Sequence, residues 1–111
     1  MEMNTNARAT TPMPLACDAA AIPAEARSAH FALTSRLFSK ALLEKRVLPE
    51  GYAFRFGSDA FEEVARFIAN ERRCCPFVKF ELEIPPGSGA VWLRLTGPAG
   101  TREFLDAEFP D

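Results

Sequence analysis

Val78-Lys79-Phe80-Glu81-Leu82-Glu83-Ile84 alternates apolar and polar residues without a break. After Pro85-Pro86-Gly87-Ser88-Gly89-Ala90, the run Val91-Trp92-Leu93-Arg94-Leu95 alternates again. Period two is the mark of a half-buried strand. The two runs therefore read as an antiparallel hairpin, with Val78, Phe80, Leu82, Ile84, Val91, Leu93 and Leu95 buried and Lys79, Glu81 and Glu83 exposed. Apolar must face apolar across the pair, so Leu82 should lie opposite Leu93, Ile84 opposite Val91 and Glu81 opposite Arg94.

Upstream of the hairpin, Cys74-Cys75-Pro76 closes an amphipathic run that begins at Ser58 or Asp59, both suited to cap a helix. Its apolar stripe is Phe61, Val64, Ala65 and Ile68, and continuing that stripe brings Arg72 and Cys75 onto the same face with Glu71 beside them. Cys74 points about 100° away, near Phe67. A proline pushes the residue before it out of helical geometry, so the cysteine pair marks where a helix stops and a strand begins. The two sulfurs converge only if the last residue leaves the helix, which Pro76 encourages.

Further out, Pro23 to Glu44 reads as the first helix, with His30, Thr34, Leu37, Phe38 and Ala41 on its buried face. The turn LPEG then leads into a strand from Tyr52 to Phe56, whose aromatic residues share one side. Downstream, Thr96-Gly97-Pro98 opens a last helix carrying Phe104, Leu105 and Phe109, which Pro110 ends. The order α-β-α-β-β-α predicts an α+β two-layer sandwich: a small, mainly antiparallel three-stranded sheet with helices on one face. The third strand should lie between the other two. The opposite face would carry Trp92 and Phe77 among charges, either as a partly wet surface or as a homodimer or ligand face.

The chain has 111 residues, one domain by length, with 48% hydrophobic and 25% charged residues. Residues 1–13, rich in Thr, Asn and Pro, read as a disordered tail before a single domain over residues 14–111. A net charge of −2 argues against a nucleic-acid partner that relies on a basic field, and no apolar run is long enough for a membrane span. Leu15-Ala16-Cys17 looks like the end of a lipoprotein signal but follows no apolar region, so the expected location is the cytoplasm. Three cysteines in such a chain read as reduced thiols, not as a disulfide frame.

Thiolates attack electrophiles and bind soft cations. The negative end of a helix opposes a thiolate, and Arg72 and Arg73 reach into water where their effect is screened, so neither Cys74 nor Cys75 should be strongly acidic. A soft cation changes this, because it deprotonates the thiol it binds. Two adjacent sulfurs supply two ligands. Cys17, Glu71 and His30 are the candidates for a third, although His30 on an apolar face is more often a hydrogen-bonded core residue. Zinc is disfavoured, since structural zinc sites use separated pairs. A vicinal disulfide would need a strained ring. The Gly97-Pro98-Ala99-Gly100 loop lacks the spacing and lysine of a phosphate loop.

Leu15-Ala16-Cys17, Glu71-Arg72-Arg73-Cys74-Cys75-Pro76-Phe77 and the segment LTGPAGTREFL over residues 95–105 together resemble a group of small, largely uncharacterised bacterial proteins. Their pattern is Ala-Cys before a long helix, then ERxCCxFxxFxL, then L-T-x-P-x-G-x-x-x-F-L. The resemblance covers residues 15–109. The group is loosely associated with mercury and other heavy-metal resistance, so the resemblance implies soft-metal handling and maps Cys17, Cys74 and Cys75 onto its cysteines. Here Asp18-Ala19 stands where a Ser/Thr-Leu type pair is expected. The leading expectation is a cytosolic protein binding a soft metal or metalloid, of Hg or As type, or a small thiol-reactive ligand, through Cys17, Cys74 and Cys75, with Glu71, Arg72 and His30 in support. The alternatives are a thiol-disulfide redox enzyme using Cys74 and Cys75, and a non-catalytic interaction module with structural cysteines.

Overall fold

The computed structural model describes residues 15–87 and 89–109. The expected tail over residues 1–13 and the role of Pro110 lie outside them. Helix α1 runs Ala24–Arg36 and continues into one wider, π-helical turn over Leu37–Ala41. Strand β1, Leu42–Leu48, and strand β2, Gly51–Gly57, follow. A short 3₁₀ turn at Ser58–Ala60 leads into α2, Phe61–Cys74. Then come β3, Lys79–Glu83, β4, Ala90–Thr96, and α3, Thr101–Glu108. Among the described residues no helix is long and apolar enough to cross a membrane.

The sheet is antiparallel throughout, in the order β1-β2-β4-β3. The hairpin register matches the alternation, with Leu82 opposite Leu93 and Glu81 opposite Arg94. The β4 strand does lie between β2 and β3. The sheet has four strands instead of three, because the first helix does not reach Glu44: Leu42–Leu48 leaves it and pairs with β2 from Leu42↔Phe56 to Leu48↔Gly51. Without β1, the outer edge of β2 would leave its N–H and C=O groups unpaired beside a buried core. On its other side β2 presses close to β4. A side chain at Gly51 would meet the Leu95 carbonyl oxygen at 2.0 Å, so only glycine fits there.

Phe54 and Phe56 of β2 and Leu93 and Leu95 of β4 form the floor of the core, and Leu33, Leu37, Val64, Phe67, Leu105 and Phe109 close it from above. Phe38, from the wider turn, joins the parts: its ring centroid lies 5.0 Å from Phe54, 5.2 Å from Phe67 and 4.7 Å from Phe109. The Tyr52 hydroxyl donates to the Asp106 carboxylate and fastens α3 to β2. On the opposite sheet face, the Arg46 guanidinium stacks over Trp92 at 4.6 Å. Arg55 pairs with Glu44 at 3.0 Å, and Arg94 pairs diagonally with Glu83 at 2.6 Å.

Three burial expectations are corrected. Leu82 and Ile84 are 36% and 56% exposed, because β3 is an edge strand whose far end projects past the core. Phe77 is buried, packed edge-on against Phe104 at 4.9 Å in a second cluster with Ile22, Cys74 and Cys75, and does not lie on the wet face. Helix α2 is rotated from the expected stripe: Val64, Phe67, Glu71 and Cys74 face inward, while Phe61 and Arg72 are exposed. Phe67 is held in the centre of the core by the rings of His30, Phe38 and Phe109, and the other residues of the face follow it.

The alternation alone treats Leu82 and Leu93 alike, but their environments differ. Leu93→Asp is expected to prevent folding, since it places a charge in a fully buried site. Leu82→Asp should lower stability by no more than about 1 kcal/mol. Phe67→Ala should cost about 3–5 kcal/mol. Urea unfolding of the three variants checks this ranking.

Candidate thiol site

Helix α2 ends because Pro76 cannot extend it. Cys75 adopts φ −121° and ψ 77°, outside the helical region, while its N–H still donates to the Glu71 carbonyl at 2.8 Å. This change of direction buries both cysteines, although only Cys74 belongs to the helix. The Cys74 carbonyl, left without a helical partner, accepts the Asp18 N–H at 2.8 Å. That bond brings the N-terminal segment to the helix end.

The segment is fixed in turn. The Asp18 carboxylate accepts the Ala20 N–H at 3.0 Å, capping a short turn at Ala19–Ala21. Arg27 Nε donates to the Ala19 and Ile22 carbonyls, both at 3.0 Å, and Ile22 is fully buried. Cys17 is thereby delivered to the cysteine pair.

Cys17 and Cys75 are joined in a disulfide that spans 58 residues, with Cα atoms 4.5 Å apart, and Cys74 is free. The expectation of three reduced thiols is corrected on this point. Parity made three cysteines look unpaired, whereas geometry pairs two and leaves one. No bond joins the adjacent cysteines: Cys74 Sγ and Cys75 Sγ are 3.9 Å apart. All three sulfurs lie within 4.8 Å of one another.

Glu71 sits beneath them, 6% exposed. Its Oε1 pairs with His30 Nε2 at 2.8 Å, and its Oε2 is 3.3 Å from Cys75 Sγ. The second contact is a hydrogen bond only when Cys75 is a thiol, since a disulfide sulfur has no proton to give. Burial pushes the Glu71 carboxyl up, and the bond to His30 opposes the shift. With Nε2 turned to the carboxylate, His30 Nδ1 is buried without a partner among the described residues. Arg72 is exposed.

Beside the cluster is a pocket of about 350 Å³ whose wall includes Cys74, Glu71 and His30 together with Phe31, Phe38 and Phe109. The sequence reading missed it. Phe31 was the available signal: a large aromatic beside His30 but off the buried stripe, 53% exposed.

The Cys74 thiol is held protonated by its surroundings. Burial, and then the nearby Glu71 carboxylate, push it up to about 11, with the Asp18 backbone acting the other way. Reduced, the three sulfurs form a set of soft donors. Around a three-coordinate ion at a metal–sulfur distance near 2.3 Å, sulfurs stand about 4 Å apart, which the Cys74–Cys75 separation already meets. No protein-family model matches the sequence, and no curated protein or solved structure matches it.

In the disulfide-bonded chain Cys74 is the sole free thiol, so its ionisation can be read directly. Iodoacetamide labelling should be slow at neutral pH and rise with a midpoint near 11, against about 8.5 for an ordinary cysteine. The folded thiol holds its proton more tightly than the unfolded one. The unfolded chain therefore ionises first, and folding stability should fall as pH rises through this interval. Glu71→Gln should speed the labelling. A midpoint below 7 would mark Cys74 as an activated nucleophile instead.

Proposed function

We propose that the reduced chain captures a soft metal or metalloid ion, of Hg(II) or As(III) type, through the sulfurs of Cys17, Cys74 and Cys75, as a binding protein of the cytosol. One observation carries this reading: three sulfurs from two distant segments converge within 4.8 Å. Soft thiolates select soft ions, and a three-sulfur set without a fourth ligand suits a three-coordinate ion better than tetrahedral zinc. The Glu71 carboxylate, raised by burial, favours any cation brought beside it. The resemblance to bacterial ERxCC proteins associated with mercury and heavy-metal resistance points the same way. Capture releases the thiol protons, so affinity should weaken as pH falls.

A second reading has its own support. The Cys17–Cys75 disulfide with Cys74 beside it is the arrangement of a thiol-disulfide exchange centre. The exchanging pair would then be Cys17 and Cys75, not the two adjacent cysteines. Against it, exchange needs an accessible, ionised thiol, and Cys74 is buried and pushed up to about 11.

Reduced protein is expected to bind Hg(II) or As(III) one to one by titration calorimetry. Cys17→Ser and Cys75→Ser should each weaken binding at least tenfold, roughly the loss of one ligand. Equal binding by the wild type and a Cys74→Ser/Cys75→Ser variant would exclude the site.

The same sulfurs link metal to stability. Opening a disulfide that closes a 58-residue separation should cost about 3–4 kcal/mol. A bridging As(III) closes the same loop, so it should raise the melting temperature of the reduced protein. It should do so far less in Cys17→Ser, where the bridge cannot form.

A further inference from the structure

We propose that the pocket beside the cysteines receives the apolar substituent of an organo-substituted soft ion, an aryl-arsenic(III) centre being the type case, while the thiols hold the ion itself. The inference rests on the soft-metal reading of the site and extends it to a class of substrate.

Cys74 belongs to both features. Its sulfur is one of the three that converge, and the residue lines the 350 Å³ pocket. An ion held by Cys74 is therefore placed at the pocket, with any group attached to it facing aromatic walls. Phe31, Phe38 and Phe109 supply those walls. A cavity of about 150 Å³ lined by apolar side chains is enough to hold a benzene, so a phenyl ring fits with room for the ion beside it. Phe31, 53% exposed with its ring 6.0 Å from His30, contributes little to the core. It is placed to close over a ring inside the pocket. Glu71 and Glu108 also line the cavity, so a carboxylated ring should be rejected where a neutral one is taken.

The capture balances without a redox step. Phenylarsonous acid, the hydrate of phenylarsine oxide, carries two hydroxyl groups on trivalent arsenic. Two As–O bonds break and two As–S bonds form, to Cys74 and one neighbouring cysteine. Each thiol proton leaves with a hydroxide as water, and arsenic remains trivalent.

The test uses the full reduced chain and two probes, arsenite and phenylarsine oxide. The exposed Ser35 lines the same pocket, so Ser35→Trp fills it from outside without touching a thiol. Ser35→Trp and Phe31→Ala are both expected to weaken phenylarsine oxide binding roughly tenfold, as burial of a phenyl ring implies, while arsenite binding stays within about twofold. A para-carboxyl phenylarsenical should bind the wild type less tightly than the parent. If both variants keep the wild-type ratio of the two affinities, the pocket proposal is overturned and the thiol site stands. If neither probe binds the reduced wild type, the thiol reading itself fails.

Discussion

The arrangement of the molecule around its cysteines depends on one constraint: helix α2 must stop at Cys74. A proline two residues later forbids another helical turn. The break leaves the Cys74 carbonyl unsatisfied, and Asp18 supplies the missing N–H. The same break turns Cys75 out of the helical direction, so that its sulfur points back toward Cys74 and Cys17 and not onward along the helix. Had the helix continued, the two adjacent side chains would diverge by about 100°. One imino acid thus sets the convergence of the sulfurs, the docking of the N-terminal segment and the start of the path into β3.

Glu71 joins this junction to the rest of the domain. A carboxylate with 6% exposure needs partners. It finds His30 on α1, and its other oxygen lies 3.3 Å from the Cys75 sulfur, a hydrogen bond once Cys75 is reduced. The site is consequently tied to the α1–α2 contact, and the α1–α2 contact is what walls the pocket. The electrostatics run against free thiolates throughout: a helix C-terminus, a buried carboxylate and little water all favour the protonated or disulfide-bonded sulfur. A bound cation reverses each of these terms together. The three sulfurs lie close enough together to hold one ion.

Much of this was legible in the sequence where the signal is local. Period-two alternation gave the register of β3 and β4, and Cys75-Pro76 gave the end of α2. Interactions between residues far apart in the chain were not legible. Strand β1 was hidden because LLEKRVL has no clean alternation and its exit turn, Pro49-Glu50, lacks the Asn-Gly signature of a tight hairpin. The rotation of α2 was hidden because Phe61 and Phe67 each fit an apolar stripe, and the partner that draws Glu71 inward, His30, is 41 positions away. The disulfide was hidden for the same reason: nothing near Cys17 in the sequence announces that Asp18 will reach the Cys74 carbonyl.

The turn between β1 and β2 has a consequence for the route by which the chain folds. Glu50 adopts φ 52°, a left-handed conformation unusual for a glutamate. Its carboxylate accepts the N–H of Gly100, itself at φ 96°, while Arg102 donates to the Leu48 carbonyl at 2.9 Å. The hairpin is therefore clamped by residues some fifty positions downstream and carries little turn preference of its own. Loop-closure entropy has to be met before those contacts form. Although β1 and β2 are neighbours in the chain, their pairing is expected to mature only once the start of α3 has docked, making a local hairpin a late event in folding.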